Sequence, residues 1–234
     1  MPLEGSENGL ESLPQEVLGE LSCKTVFKIG NIPFKESVVV TWVIMLSVVL
    51  LCALLVRNFK VNNPGKRQLF FECAVTKLRG LIADMLGEEA SGYAEYLCCV
   101  IIYIAIANIA GIFGFKPPTK DINVTAGLAI MSIIIIEYAA IHKKGVKKWL
   151  KSFAQPMAVI APINILELVI RPLSLCMRLF GNVVGAFVIM KLIEKLLPVG
   201  LPVLFGLYFD IFDGLIQAYV FVFLTSLFIK EAVE

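Results

Sequence analysis

The sequence predicts an all-α, polytopic membrane protein with five transmembrane helices, the last two long and strongly tilted, and one amphipathic helix at the membrane interface. Of the 234 residues, 58% are hydrophobic and only 17% are charged, and the mean hydropathy is +0.83. Ordinary soluble domains of this size do not show that balance. Lysines and arginines lie in separate clusters instead of one stripe, so the net charge of +2 does not indicate a nucleic-acid partner.

Five apolar segments are long enough to cross about 30 Å of hydrocarbon at about 1.5 Å per residue. We predict spans at residues 37–56, 93–114, 123–141, 158–196 and 201–230, and the interfacial helix at residues 66–88. The first 36 residues are polar and lack the charged and apolar regions of a secretory signal. We therefore expect an external amino-terminal segment at 1–36 ahead of a membrane domain at 37–234.

Positive charge predicts the orientation of the spans. Arg57, Lys60, Lys66 and Arg67 follow the first span directly, which places that end in the cytoplasm and the amino terminus outside. A stronger cluster follows the third span and comprises His142, Lys143, Lys144, Lys147, Lys148 and Lys151. The fifth span then ends inside, so we expect the carboxyl terminus in the cytoplasm.

The segment at 66–88 differs from the spans because charged residues interrupt it. Its apolar residues recur three or four positions apart, as in an amphipathic helix that lies along the cytoplasmic interface. These residues are Phe70, Ala74, Leu78, Leu81, Ile82 and Met85. A short re-entrant element is the alternative interpretation.

The fourth span is unusually long and carries polar residues that a lipid-facing helix excludes. A helix from Val159 to Leu197 would extend about 58 Å, so it must tilt strongly or bend, with Pro172 as the candidate position of the bend. An ionisable group at mid-membrane costs about 2.5 to more than 10 kcal/mol unless it faces a partner or water. Five polar side chains share one face of this helix, namely Glu167, Arg171, Ser174, Arg178 and Asn182.

Small residues and acids extend this pattern. Gly181 and Gly185 border the polar face as a GxxxG pair, which permits close approach of another helix or indicates simple helix packing. On the last span, Asp210, Asp213 and Gln217 share one side by their spacing. Internal salt bridges between these acids and the two arginines of the fourth span are the alternative to a functional role.

The sequence contains no sign of an enzyme, a cofactor site or a metal site. Its six cysteines have no metal-ligand spacing. Phosphate-binding loops, metalloprotease motifs and nucleophile elbows are all missing from the chain. We therefore expect a non-catalytic protein without a cofactor or a bound metal.

Three segments are specific to one family: PINILELVIRPLSLCMRLFGN at 162–182, IQAYVFVFLT at 216–225 and PPTKDINVTAGLA at 117–129. With the five-span layout, they resemble subunit a of the F-type ATP synthase, the stator subunit beside the rotating c-ring. The resemblance implies two ion half-channels against the ring, which couple H⁺ or Na⁺ translocation to rotation. It also implies the c-ring, the peripheral-stalk b subunits and the rest of the complex as partners, and the bacterial plasma membrane as the location.

The resemblance also implies the central site residues. Arg178 takes the place of the family's essential arginine, Asn182 and Gln217 match its polar neighbours, and Ser174 lies one turn before it. A guanidinium keeps its charge at any accessible pH. It favours the ionised form of a ring carboxylate opposite it and blocks leakage between the two half-channels.

The half-channel residues follow in the same way. Glu167 and Asn164 match polar positions of one half-channel, and Asp210 occupies a position where family members carry Glu or His. Phe187 departs from the family, because many members have Glu or His there. The outer half-channel must then rely on Asp210 and Asp213.

Two other classes of protein compete with this interpretation. A secondary transporter could use Arg178 to bind an anionic substrate near the bilayer midplane. An intramembrane aspartyl protease would need acids converging from two helices, whereas Asp210 and Asp213 belong to one. The sequence alone does not decide between H⁺ and Na⁺ as the coupling ion.

Overall fold

The computed structural model describes residues 25–29, 32–57, 65–113, 117–152, 161–196 and 200–233. Most of the predicted amino-terminal segment, the first residues of the predicted fourth span and part of the connector before the last span lie outside these residues. Five helices are long and apolar enough to cross a membrane. The predicted all-α class with five spans is confirmed.

A short antiparallel hairpin precedes the first helix and was not foreseen. It consists of β1 (Thr25–Ile29) and β2 (Ile32–Lys35), with Ile29 opposite Ile32. Strands of this length give little periodic signal in a sequence. Because β2 runs directly into the first helix, the hairpin marks one end of the molecule, which we call the hairpin end.

The first part of the described chain forms four α-helices. They are α1 (Glu36–Val56), α2 (Lys66–Leu86), α3 (Ala94–Ile109, preceded by a 3₁₀ turn at Glu88–Tyr93) and α4 (Ile122–Lys144). Only Ser37 and Ile44 of α1 are buried, so α1 lies at the edge of the bundle. The opposite end of the molecule, where α4 ends, is called the carboxyl-terminal end below.

The remaining helices include the two longest apolar segments. They are α5 (Val146–Ser152), α6 (Ala161–Leu196), α7 (Leu201–Leu207) and α8 (Gly214–Val233), with a π-helical turn at Tyr208–Asp213 that joins α7 to α8. We call residues 201–233 the last helix. Pro172 lies inside α6 and does not end it. With 36 residues, α6 extends about 54 Å, well beyond the thickness of the hydrocarbon.

The predicted interfacial helix is α2. Its carboxyl-terminal half contributes Ile82 and Leu86 to the core, while Leu69, Phe70 and Val75 are exposed. Gly87 ends the helix with φ of 75°, a left-handed conformation that residues with a Cβ rarely adopt. The helix thus combines a packed end with an exposed apolar face, as expected at a membrane interface.

The core joins α3, α4, α6 and α8. Its fully buried residues include Leu97, Ile104, Ile136, Leu175, Leu179, Phe221 and Ile229. In a membrane, lipid tails are as apolar as leucine, so these contacts stabilise the fold by close packing rather than by removal from water. The rigid bundle that results is the frame on which the polar side chains are held.

Asp121 joins three elements at the hairpin end. Its carboxylate accepts hydrogen bonds from Ser37 Oγ at 2.6 Å, from the Asn123 backbone N–H at 3.0 Å and from Asn123 Nδ2 at 2.7 Å. Lys35 Nζ lies 3.7 Å away. Burial alone would raise the pKa of Asp121, but these hydrogen bonds and the ammonium outweigh it and lower the pKa. Asp121 thereby caps α4 and fastens it to α1 and β2.

We expect Asp121→Asn to lower the free energy of unfolding by about 1–3 kcal/mol, because the buried charged hydrogen bonds weaken. A lowered carboxyl pKa stabilises the fold above the unfolded-state value of about 3.9, and this contribution is lost as the pH falls through the folded-state value. Thermal unfolding in detergent between about pH 2.5 and 5 measures both effects. An equal pH dependence in wild type and variant would contradict this role.

Candidate functional site

Arg178 projects from the exposed side of α6. Its neighbours Leu175 and Leu179 are buried in the core, with relative exposures of 1% and 0%, whereas Arg178 and Ser174 are exposed. Within the described part of the chain, Arg178 makes no hydrogen bond and no ion pair. The buried neighbours place this residue at the bundle surface, and none of the described acids pairs with its guanidinium.

Asn182, one turn after Arg178, contacts the last helix. Its Nδ2 donates to Asp213 Oδ2 at 2.9 Å and to Gln217 Oε1 at 3.2 Å. Gln217 is only 6% exposed, and its Nε2 has no hydrogen-bond partner among the described residues. The structure therefore brings together three residues that the sequence placed on two separate helices.

A cavity of about 380 Å³ opens beside this contact, toward the hairpin end. Asn182, Asp210, Asp213 and Gln217 all line it, and so does Glu194. Asp210 and Asp213, which the sequence places on one side of the last helix, therefore line the same cavity. We call this space the hairpin-end cavity.

The π-helical turn at Tyr208–Asp213 was not predicted. A π-turn changes the angular spacing of residues from that of an α-helix and is frequent at functional sites. It contains both Asp210 and Asp213. The α-helical period of about 3.6 residues does not detect such a turn, so the orientation of these acids could not be obtained from spacing alone.

Small and polar residues of α3 and its following turn support the cavity wall. A Cβ at Gly111 would lie 2.9 Å from Asp210 Oδ1. Asn108 Nδ2 donates to the Gly214 carbonyl at 3.0 Å, and Thr119 Oγ1 donates to Asn108 Oδ1 at 2.9 Å. Sequence reasoning missed these residues, although a buried asparagine in an apolar span is a usable signal.

Phe187, the residue that departs from the family pattern, also lines the hairpin-end cavity. The Lys120 ammonium lies 3.2 Å from the centroid of its ring, and Lys191 Nζ lies 5.9 Å from it. An aromatic face attracts cations. This position therefore carries an aromatic ring in contact with an ammonium group.

A second cavity, of about 230 Å³, lies at the carboxyl-terminal end. Asn164 and Glu167, which the resemblance assigns to one half-channel, both line it. Glu137 and Glu231 line it as well, and the sequence did not point to them. Glu137 accepts a hydrogen bond from Trp149 Nε1 at 2.8 Å. We call this space the carboxyl-terminal cavity.

Arg171 has a different environment from Arg178. Its Nη2 donates to Glu167 Oε1 at 2.8 Å and to Glu231 Oε1 at 3.0 Å, and its guanidinium lies 5.0 Å from the ring of Phe228. The alternative of salt bridges from the arginines to Asp210 and Asp213 does not occur among the described residues. Arg171 is therefore paired with two carboxylates, whereas Arg178 pairs with none of the described acids.

The acids of the chain are dispersed over several elements. Among the described residues, no group of three or more His, Cys, Asp or Glu side chains could hold a metal ion. The described side chains of the site offer guanidinium groups, amides and separate carboxylates.

Comparison with known proteins identifies the family. The family model described as ATP synthase A chain matches residues 38–230. The chain belongs to this family. Its members are non-catalytic, ion-translocating subunits in the membrane sector of the F-type ATP synthase, and the five apolar helices fit a multi-pass membrane protein.

Several relatives align over most of their length. ATP synthase subunit a 2 of a Bradyrhizobium species is 34% identical, over 91% of this chain and 95% of the relative. ATP synthase subunit a of Moorella thermoacetica is 32% identical, over 89% and 95% respectively. A sodium ion specific subunit a from Propionigenium modestum is 30% identical, over 86% of this chain and 75% of the relative.

We expect Gly111→Ala to reduce passive ion flux through the membrane sector by about tenfold or more, because the new methyl group displaces the Asp210 carboxylate. Asp210 is a side chain that can move, so little loss of stability should accompany this change. Gly127→Ala is the matched control, since a Cβ there meets nothing within 4 Å. Flux into vesicles stripped of the catalytic head measures the effect, and equal flux in both variants would contradict the placement of Asp210.

Proposed function

We propose that α6 and the last helix face the rotating c-ring, and that the two cavities are ion half-channels separated by Arg178. The observation that carries this proposal is the exposed and unpaired guanidinium of Arg178. In lipid, such a group costs about 2.5 to more than 10 kcal/mol. Since the described chain supplies no anion, a carboxylate from a neighbouring subunit is the partner that removes this cost.

The hairpin-end cavity provides the outer half-channel. An ion that enters it meets Asp210 and Asp213, and then reaches the hydrogen-bonded pair Asn182 and Gln217 beside the ring. Asp213 contacts Asn182 directly, so it supplies the last carboxylate before the ring. With Phe187 in place of an ionisable residue, these two aspartates carry the ion through this cavity.

The carboxyl-terminal cavity provides the inner half-channel. Asn164 and Glu167 line it on α6, and Glu137 and Glu231 add carboxylates from α4 and α8. Ser174 is exposed on α6 between this cavity and Arg178. This arrangement supports a path from the carboxyl-terminal end to the ring-facing side of α6.

The mechanism follows from the charge of Arg178. Burial in lipid favours the neutral form of a ring carboxyl group, whereas a fixed guanidinium opposite it favours the ionised form. Each ring carboxyl therefore loses its ion on approaching Arg178 from one side and regains an ion on the other side. An ion that crosses this way gains about 2.3 kcal/mol per 100 mV, which rotation delivers to the catalytic head.

The proposal includes an orientation and a set of partners. Lysines at 143 and 144 lie in the last turn of α4, and those at 147, 148 and 151 lie in α5, and positive charge favours the cytoplasmic side. We therefore place the carboxyl-terminal end in the cytoplasm, the hairpin end outside and the protein in the bacterial plasma membrane. The c-ring and the peripheral-stalk b subunits are the proposed direct partners.

The coupling ion in this proposal is H⁺ or Na⁺. The relative from Propionigenium modestum is described as sodium ion specific, whereas the names of the Bradyrhizobium and Moorella relatives specify no ion. The Na⁺ dependence of ATP hydrolysis by the intact complex distinguishes the two ions.

The secondary-transporter alternative is disfavoured, because a substrate-binding arginine lines an enclosed cavity, whereas Arg178 lines neither of the two cavities.

We expect Arg178→Ala to abolish ATP-driven ion pumping while the complex still assembles, since the side chain makes no hydrogen bond or ion pair with the described residues that its loss would break. Arg79→Ala is the matched control, because Arg79 forms an exposed ion pair with Glu95 far from the site. Pumping by the purified complex in vesicles measures the effect. Unimpaired coupled pumping by Arg178→Ala would refute the proposed role.

We expect Asp210→Asn and Asp213→Asn each to slow passive ion flux by about tenfold or more, because each removes a carboxylate that exchanges the ion. If the ion passes the two aspartates in series, the passive flux of the double variant should be no lower than that of the slower single variant. Asp84→Asn, at an exposed position of α2, is the control. An unchanged flux in either single variant would instead indicate that ions bypass that residue by a second path.

A further inference from the structure

Two polar contacts join α6 to the last helix, one on each side of Arg178. On the hairpin side, Asn182 bonds to Asp213 and Gln217. On the carboxyl-terminal side, Arg171 bonds to Glu231 at 3.0 Å. Arg178 lies between these contacts and takes part in neither.

The contact at Arg171 is well defined geometrically. The guanidinium contacts Glu167 within α6 and Glu231 on α8, and it lies 5.0 Å from the ring of Phe228 on α8. The Arg171 side chain is 16% exposed. A planar guanidinium can engage two carboxylates and an aromatic face at once, whereas a lysine ammonium acts as a point charge. These contacts link α6 to α8 at this level, with the Glu167 and Glu231 side chains 51% and 57% exposed.

Apolar packing also links α6 to α8, because Leu175, Leu179 and Phe221 belong to one buried cluster. The main packing partner of α6 is α4, with Thr125 Oγ1 3.5 Å from Cys176 Sγ. The contact between α6 and α8 is smaller, and it includes the hydrogen bonds of Asn182 and Arg171. Small residues such as Gly181 and Gly185 have open space beside them and add no contact there.

We propose that Arg171 is a positioning residue that, with Glu231, holds α6 in register with α8 and so keeps Arg178 opposite the ring carboxylates. This inference rests on the proposed place of Arg178 at the ring. A shift of α6 by one turn would move Arg178 by about 5.4 Å, which is more than a hydrogen-bond length. Ring carboxyl groups would then pass the arginine while still carrying an ion, and ions would leak between the half-channels without driving rotation.

The test measures ions pumped per ATP hydrolysed by the intact complex in vesicles. The variants are Arg171→Gln, Glu231→Gln, the double variant and Arg171→Lys. Glu95→Gln is the matched control, because Glu95 forms an exposed ion pair between α3 and α2, with its side chain 79% exposed. Assembly is checked by co-purification of the ring, and the ratio is compared only among assembled complexes.

We expect the number of ions pumped per ATP hydrolysed to fall by about half in each single glutamine variant. The reason is that losing a hydrogen-bonded charge pair raises the fraction of complexes in which α6 is displaced. The double variant should match the singles, because both remove one interaction. Arg171→Lys should give an intermediate ratio, since it keeps the charge without the planar contacts. Glu95→Gln should leave the ratio unchanged.

A wild-type ratio in assembled Arg171→Gln and Glu231→Gln complexes would overturn the inference, and so would additive losses in the double variant. If Arg171→Gln does not assemble, Arg171→Lys carries the test, and a wild-type ratio there overturns it. Arg178→Ala in the same vesicles separates the two proposals. Pumping retained in Arg178→Ala refutes the site itself, whereas pumping lost there with unchanged Arg171 variants refutes only the positioning role.

Discussion

The guanidinium of Arg178, which pairs with no acid in the described part of the chain, is the constraint on which the rest of this structure depends. A cation without an anion is unfavourable in a membrane, so the fold must hold it where another molecule can pair with it. Leu175 and Leu179 contribute to this by burying a neighbouring side of α6 in the bundle. Polar contacts on both sides of Arg178 then join α6 to the last helix.

The same constraint explains why the polar groups are grouped into two separate cavities. A continuous polar channel past Arg178 would let ions cross without moving a partner. Instead, Asp210 and Asp213 lie with one cavity, and Glu167 and Glu231 lie with the other. The intervening stretch of α6 presents the arginine on its outer face. The division between the cavities and the exposure of Arg178 are therefore two aspects of one arrangement.

The sequence was sufficient for the features that depend on local composition. Apolar length predicted five spans, and helical spacing placed Arg178, Ser174 and Asn182 on one face of α6. Features that depend on distant partners were not predictable in this way. Glu231 reaches Arg171 across 60 positions of sequence, and the π-helical turn shifts the acids out of the period used to place them. Contacts between residues so far apart in the sequence arise only when the helices pack into the bundle.

The position of Arg178 in the intact complex is the most direct test of this account. A structure of the complete ATP synthase in lipid should show the Arg178 guanidinium facing a ring carboxylate, with α6 and the last helix both against the ring. The two cavities should open on opposite sides of the membrane. A ring packed against α1, or an Arg178 side chain paired with an acid of its own chain, would contradict it.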